Sequence, residues 1–151
     1  MNWAFDISMK NRKILRSFLE NLSLEELNKI PDGYNNNIVW NIAHTVVTQQ
    51  ILVYRLSGLP MVLSNEMIET YKKGTRPTKN LTQADVDVIK GLLFSTIEKT
   101  KEDFENKVFT EFETYTVTTK NILTKVEEAI DYNSFHEGIH LGYILALKRA
   151  L

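Results

Sequence analysis

The sequence predicts an all-α protein, a four-helix up-and-down bundle with short extra helices in its connections. Three observations carry that expectation. Apolar residues recur at three- and four-residue spacing over four long stretches, as they do in helices that bury one face. Proline, glycine and capping signatures separate those stretches. With 43% hydrophobic and 25% charged residues over 151 positions, the chain has the makings of one globular domain with its own core, and disorder is excluded. No repeat, low-complexity run or linker divides residues 1–151, so they form a single domain.

The first helix is expected from about Phe5 to Leu22, with Ile7, Ile14, Leu15, Phe18 and Leu22 near helical spacing. A short helix follows at Ser23–Glu26, where Ser and Glu three apart make a capping box, and Pro31-Asp-Gly33 ends it. The second long helix starts near Asn36 or Asn37 and runs to about Ser57, stopped by Gly58 and Pro60. A weaker helix covers Ser64 to Lys73 and ends before Gly74 and Pro77. Thr82-Gln-Ala-Asp85 opens the third long helix, which continues to about Glu105. Residues Asn106 to Asn121 are rich in Thr, β-branched and aromatic residues, which predicts an extended connection with a short strand pair. Thr124-Lys-Val-Glu127 reads as a further capping box, and the fourth helix runs from there to the end.

Several function classes fall away on composition. A formal net charge of −1 supplies no basic field for nucleic acid or acidic lipid. Cysteine is absent, which removes disulfides, thiolate metal sites and a cysteine nucleophile. The run Met1-Asn-Trp-Ala-Phe-Asp-Ile-Ser lacks the basic and apolar regions of a signal peptide, and the longest apolar runs are too short to span a bilayer. A cytoplasmic location without membrane attachment is the expectation. Neither a glycine-rich phosphate loop nor a G-x-S-x-G elbow is present.

The chemistry concentrates in three histidines, the only ones in the chain. His136 and His140 are four apart, so on a helix they project from one face, about 6 Å apart along the axis. His44 lies on the second helix, sharing its face with Asn37, Trp40, Thr48 and Ile51, with Asn41 at the edge. The face of His136 and His140 also carries Ala129, Tyr132, Tyr143 and Leu147, with Asn133 at its edge. Both faces are mostly apolar and should point inward, where an imidazole needs a hydrogen-bond partner or a metal. Three imidazoles on one divalent ion would leave open coordination positions; separate satisfied core histidines are the plainer alternative. If helices two and four run parallel, as in an up-and-down bundle, both sites fall in amino-terminal halves at compatible depths.

His136-Glu-Gly-Ile-His140 also matches H-E-x-x-H, in which the glutamate of a zinc protease is the general base. Proteolysis is disfavoured, because Leu141 to Leu151 offer no third ligand and no edge strand is evident. Glu137 could still reach a metal-bound water as a catalytic group, or could be a solvated surface carboxylate. Tyr143 is the second catalytic candidate, and Tyr143 and Trp40 are both expected to line the pocket, against ordinary core packing as the alternative. Gly138 and Gly142, four apart beside the histidines, would let another helix approach closely, within the bundle or across a dimer. Packing within the bundle is the simpler of the two.

Trp40-Asn-Ile-Ala-His44 and the terminal His136-Glu-Gly-Ile-His140-Leu-Gly-Tyr-Ile-Leu-Ala-Leu-Lys-Arg resemble the DinB/YfiT-like superfamily, and the resemblance covers nearly the whole chain. It implies a four-helix bundle, commonly dimeric, with a divalent metal held by three histidines that map onto His44, His136 and His140. It implies no single reaction. The superfamily includes proteins described as metal-dependent hydrolases, and others resembling thiol-S-transferases that use bacillithiol or mycothiol, among them a maleylpyruvate isomerase. Such a metal could lower the pKa of bound water toward about 7 or bind a low-molecular-weight thiol as thiolate. The expected function is therefore metal-dependent chemistry on a small molecule, hydrolysis or thiol transfer. The competing class is a non-catalytic module whose metal or histidine cluster ties two helices together. Zinc, nickel and iron(II) all suit three neutral nitrogens. No nucleic-acid partner is expected, and a homodimer is.

Overall fold

In the computed structural model, which describes residues 1–151, the chain is all-α apart from one two-stranded ladder. Helix α1 spans Asn2–Asn21 and the short α2 spans Leu24–Asn28. Helix α3, Ile38–Gln50, passes directly into a π-helical turn, Ile51–Arg55. After α4 (Asn65–Tyr71) come the two longest helices, α5 (Gln83–Glu105) and α6 (Val126–Arg149). Strands β1 (Tyr115–Thr116) and β2 (Ile122–Leu123) pair antiparallel before α6; β1 falls within the Asn106–Asn121 connection where a short strand pair was expected, and β2 just past its end.

The capping chemistry sets most boundaries. Ser23 and Glu26 form the reciprocal box at α2, and Thr82 and Asp85 do the same at α5; each such cap stabilises its helix by about 1 kcal/mol. Asn37 caps α3 by accepting from the Trp40 N–H. The box expected at Thr124-Lys-Val-Glu127 is replaced by a different one. Helix α6 starts one residue later, and Thr124 donates through both N and Oγ1 to Glu128, at 2.7 and 3.0 Å. Gly33, Gly58 and Gly74 have φ of 81°, 69° and 90°, so these breakers reverse the chain where other residues would be strained.

Helix α1 packs against α5 and α6, and α3 packs against the same two, so α1 and α3 lie on opposite corners. Cross-contacts give the directions. Phe5 meets Phe104 at one end of α1 and Glu20 meets Lys90 at the other, so α1 and α5 are antiparallel. Gln49 reaches Thr100 and Tyr54 reaches Asp103, so α3 and α5 are parallel. Ser8 meets Ser134 and Arg12 meets Glu137, so α1 and α6 are parallel. The senses are up, down, down, up, which corrects the strict up-and-down alternation expected from the sequence and makes α3 and α6 antiparallel. The connection between Leu56 and Thr82 is what permits this. It is long enough to climb back along α3, carrying α4 against that helix, before α5 begins.

Two apolar clusters fill the interior. The larger joins Leu15 and Phe18 of α1, most of α3, Val86 to Leu93 of α5, and Ile144 and Leu147 of α6. The smaller joins Phe5, the π-helical turn, Ile97 and Val126 to Ile130. Arg12, Glu137 and Asn133 are buried at the level between them, and the histidines lie at the same level on α3 and α6. None of the helices is long and apolar enough to cross a membrane.

Candidate metal centre

His44, His136 and His140 come together, each offering a ring nitrogen within 4.8 Å of the other two. Their ring centroids are 4.5 to 5.2 Å apart and mutually tilted by 55–57°, the disposition of side chains that point at a common centre. The four-residue spacing on α6 supplies two of them. His44 arrives from α3, which is buried on nearly every side because α4, α5 and α6 all pack on it. The parallel arrangement assumed for depth matching does not hold, yet the histidines meet. His44 is near the middle of the combined α3 and π segment, and His136 and His140 straddle the middle of α6. A mid-helix position stays at the same level when the helix is reversed.

Second partners orient two of the rings. His44 Nδ1 is 2.6 Å from the Tyr71 carbonyl, which only accepts, so Nδ1 carries the proton and Nε2 presents its lone pair, with the Thr48 hydroxyl 3.3 Å away as its donor. His140 Nδ1 lies 2.8 Å from Asn41 Oδ1. The Asn41 amide nitrogen is engaged as a donor to Asn36 Oδ1 and the Asn37 carbonyl, both near 2.9 Å, so Oδ1 is the acceptor and His140 too offers Nε2. His136 Nδ1 is buried without a partner. Burial lowers the pKa of all three imidazoles. His136 is pushed down to about 2, chiefly by desolvation and then by its two histidine neighbours and Arg12. His140 is pushed to about 4 by desolvation and His44. Three ring nitrogens kept neutral by burial and brought to one point, with Nδ1 of His136 left without a protein partner, suit a divalent cation.

Trp40 stands beside the centre as expected, its ring stacked on His44 at 4.8 Å and 10°. Tyr143 is partly exposed, one helical turn beyond His140, and its ring packs edge-on against Tyr34 at 5.8 Å. Glu137 is not the solvated surface carboxylate that was one reading of it. It has no exposure, and its Oε1 accepts from Arg12 Nε at 2.8 Å and Asn133 Nδ2 at 2.9 Å, with Arg12 Nη2 in ion-pair contact at 2.7 Å, while Oε2 has no donor. The glycine pair also corrects an expectation. A Cβ at Gly138 or Gly142 would meet nothing within 4 Å, so no helix of this chain needs the space they leave.

Sequence reasoning missed Arg12, Tyr71 and the pairing role of Asn41. Arg12 had a signal: Ser8, Arg12, Leu15 and Leu19 share the buried stripe of α1, and a charge on such a stripe demands a partner. The Tyr71 contribution is a backbone carbonyl brought in by the crossover, which leaves no mark on residue type.

No curated protein matches the chain. Residues 9–144 match the profile of the DinB superfamily, nearly the whole chain and both histidine-bearing helices, and the protein belongs to that superfamily.

Proposed function

We propose that this protein is a metal-dependent enzyme acting on a small molecule, with a divalent cation held by Nε2 of His44 and His140 and by a ring nitrogen of His136. The observation that carries this reading is the convergence of all three histidines within 4.8 Å, two of them anchored through Nδ1 so that Nε2 is the nitrogen left for a ligand, with the Thr48 hydroxyl 3.3 Å from that of His44. Bound there, a cation such as zinc, nickel or iron(II) supplies Lewis acidity to water or to a low-molecular-weight thiol, the routes to hydrolysis and to thiol transfer. The chain's own residues do the rest. Tyr71 and Asn41 hold two rings in orientation, the stacked Trp40 shields His44 from water, and burial keeps the imidazoles neutral. We place Tyr143 at the rim, where its phenol can contact substrate. The Arg12 pairing of Glu137 supports a role for that carboxylate other than the general base suggested by H-E-x-x-H.

The test is metal titration of tag-free protein. Replacing any one histidine by alanine should lower Zn2+ affinity by about a hundredfold or more while helicity is kept. A triple variant that bound Zn2+ as tightly as the parent would refute the site. Loss of turnover on chelation, in a screen of thiols with electrophilic acceptors and of hydrolysable esters and amides, would establish catalysis. A closed, four-protein-ligand cobalt spectrum would instead favour a non-catalytic module.

A further inference from the structure

Beneath the histidines lies a fully buried ion pair that the proposed chemistry does not use. Arg12 comes from α1, a helix that contributes no histidine. Its guanidinium nonetheless touches both helices that do. Nε and Nη2 grip Glu137, the residue after His136, and Nη2 also lies 3.4 Å from the carbonyl of Thr45, the residue after His44. Nη1 reaches the Leu93 carbonyl on α5 at 3.5 Å. Arg12 and Glu137 are both without exposure. Attraction between buried charges only roughly offsets their desolvation, and apolar side chains at 12 and 137 would pack these helices at least as well. Simple cohesion therefore leaves the pair unaccounted for.

Its placement offers an account. Glu137 is the carboxylate adjoining a proposed ligand, and its Oε2 is buried with no donor, a strong site for a cation if the side chain could swing toward one. Nε of Arg12 and the Asn133 amide both donate to the other oxygen, Oε1, with Arg12 Nη2 in ion-pair contact at 2.7 Å, and so fix the carboxylate between α1 and α6. We propose that Arg12 is a positioning residue for the metal centre: it keeps Glu137 out of the coordination sphere, so that the positions left by three histidines stay open to small molecules, and it balances the charge beside the cation. This rests on the three-histidine reading above.

Two charge-neutralising variants separate this role from a structural one, with Co2+ alone as the probe. Arg12→Gln removes a positive charge and releases the carboxylate. Co2+ affinity should rise about tenfold or more, and the visible spectrum should change as a carboxylate oxygen joins the three nitrogens. Glu137→Gln leaves Arg12 unbalanced beside the site. Affinity should fall by about tenfold or more with the spectrum of the parent retained. Arg12→Lys, which keeps the charge, should bind Co2+ within a few-fold of the parent. A purely structural pair would lower affinity in both neutralising variants or in neither, and either result overturns the proposal. If Arg12→Gln does not fold, Glu137→Gln decides alone, and unchanged affinity there refutes the role. A parent that takes up no Co2+ overturns the metal reading and this inference with it, whereas a parent that binds while all variants match it overturns this inference only.

Discussion

Acid should destabilise the metal-free protein between pH 6.5 and 4.5 through its buried histidines. His136 and His140 have folded-state pKa values pushed to about 2 and about 4, against 6.5 in the unfolded chain, and His44 is lowered as well. A group with a depressed folded pKa stabilises the fold fully above its unfolded pKa, and that stability drains away as pH falls toward the folded value. Between pH 6.5 and 4.5 the unfolded chain gains protons at these imidazoles while the folded chain does not. Each costs about 1.4 kcal/mol per pH unit, so the two together remove up to about 5 kcal/mol over the window. That is a large part of the roughly 5–15 kcal/mol that holds a domain of this size. The carboxylates with lowered pKa, Glu20, Glu26, Asp85 and Glu128, begin to lose their contribution as pH falls through their unfolded values of 4.5 for Glu and 3.8 for Asp, so they enter only at the lower edge of the window. Urea denaturation followed by far-ultraviolet circular dichroism, with chelator present, reads the effect directly. A His136→Gln/His140→Gln variant should show a much shallower fall. Stability that stays level from pH 6.5 to 4.5 in the parent, or that falls equally in the double variant, would refute the assignment of these imidazoles as buried and neutral.

Three other outcomes are expected. Asn41→Leu, which removes the acceptor for His140 Nδ1, should lower Zn2+ affinity by about 10- to 100-fold while leaving the three ligands in place, measured by competition with a chromophoric chelator. Gly138→Ala and Gly142→Ala should each stabilise the monomer by about 1 kcal/mol, because alanine favours helix and would meet nothing at either position; thermal melting at low concentration checks this. We also propose a symmetric dimer through the outer face of α6, where Phe135, Ile139 and Leu145 are exposed around those glycines without an intervening charge. Sedimentation over a hundredfold dilution that finds only the 17.5 kDa chain would exclude it, and Ile139→Lys should dissociate it.

Much of this molecule could be read before its fold was seen, and what could be read shares one property: it is local. The caps at Ser23, Asn37 and Thr82 are chosen by side chains three residues from their partners, and the His136–His140 pair by a single turn of helix. The misplaced cap at Thr124 shows the margin of such reasoning, since Glu127 and Glu128 are equally good acceptors by type and only the helix start selects the second. The bundle's handedness of traverse was not local. Whether α5 runs with or against α3 depends on how far the segment from Leu56 to Thr82 travels, and Gly58, Pro60, Gly74 and Pro77 say where it turns without saying how far it goes.

The centre itself shows why a wrong topology did not spoil a correct grouping of residues. Inward faces are fixed by helical period alone, so His44, His136 and His140 had to point into the core whichever way the helices ran. Mid-helix positions then kept them level under reversal. What period cannot reveal is which buried polar residues serve those three. Asn41 and Asn133 stood at the edges of the histidine faces, and only the packed structure distinguishes the first, bonded to His140, from the second, bonded to Glu137. Arg12 lies farther in sequence from both histidine-bearing helices, yet it is the residue that joins them, because the parallel course of α1 and α6 brings position 12 level with position 137. The ligand-bearing faces are thus set by the period of two helices, while the charge beside them is set by the topology of all four.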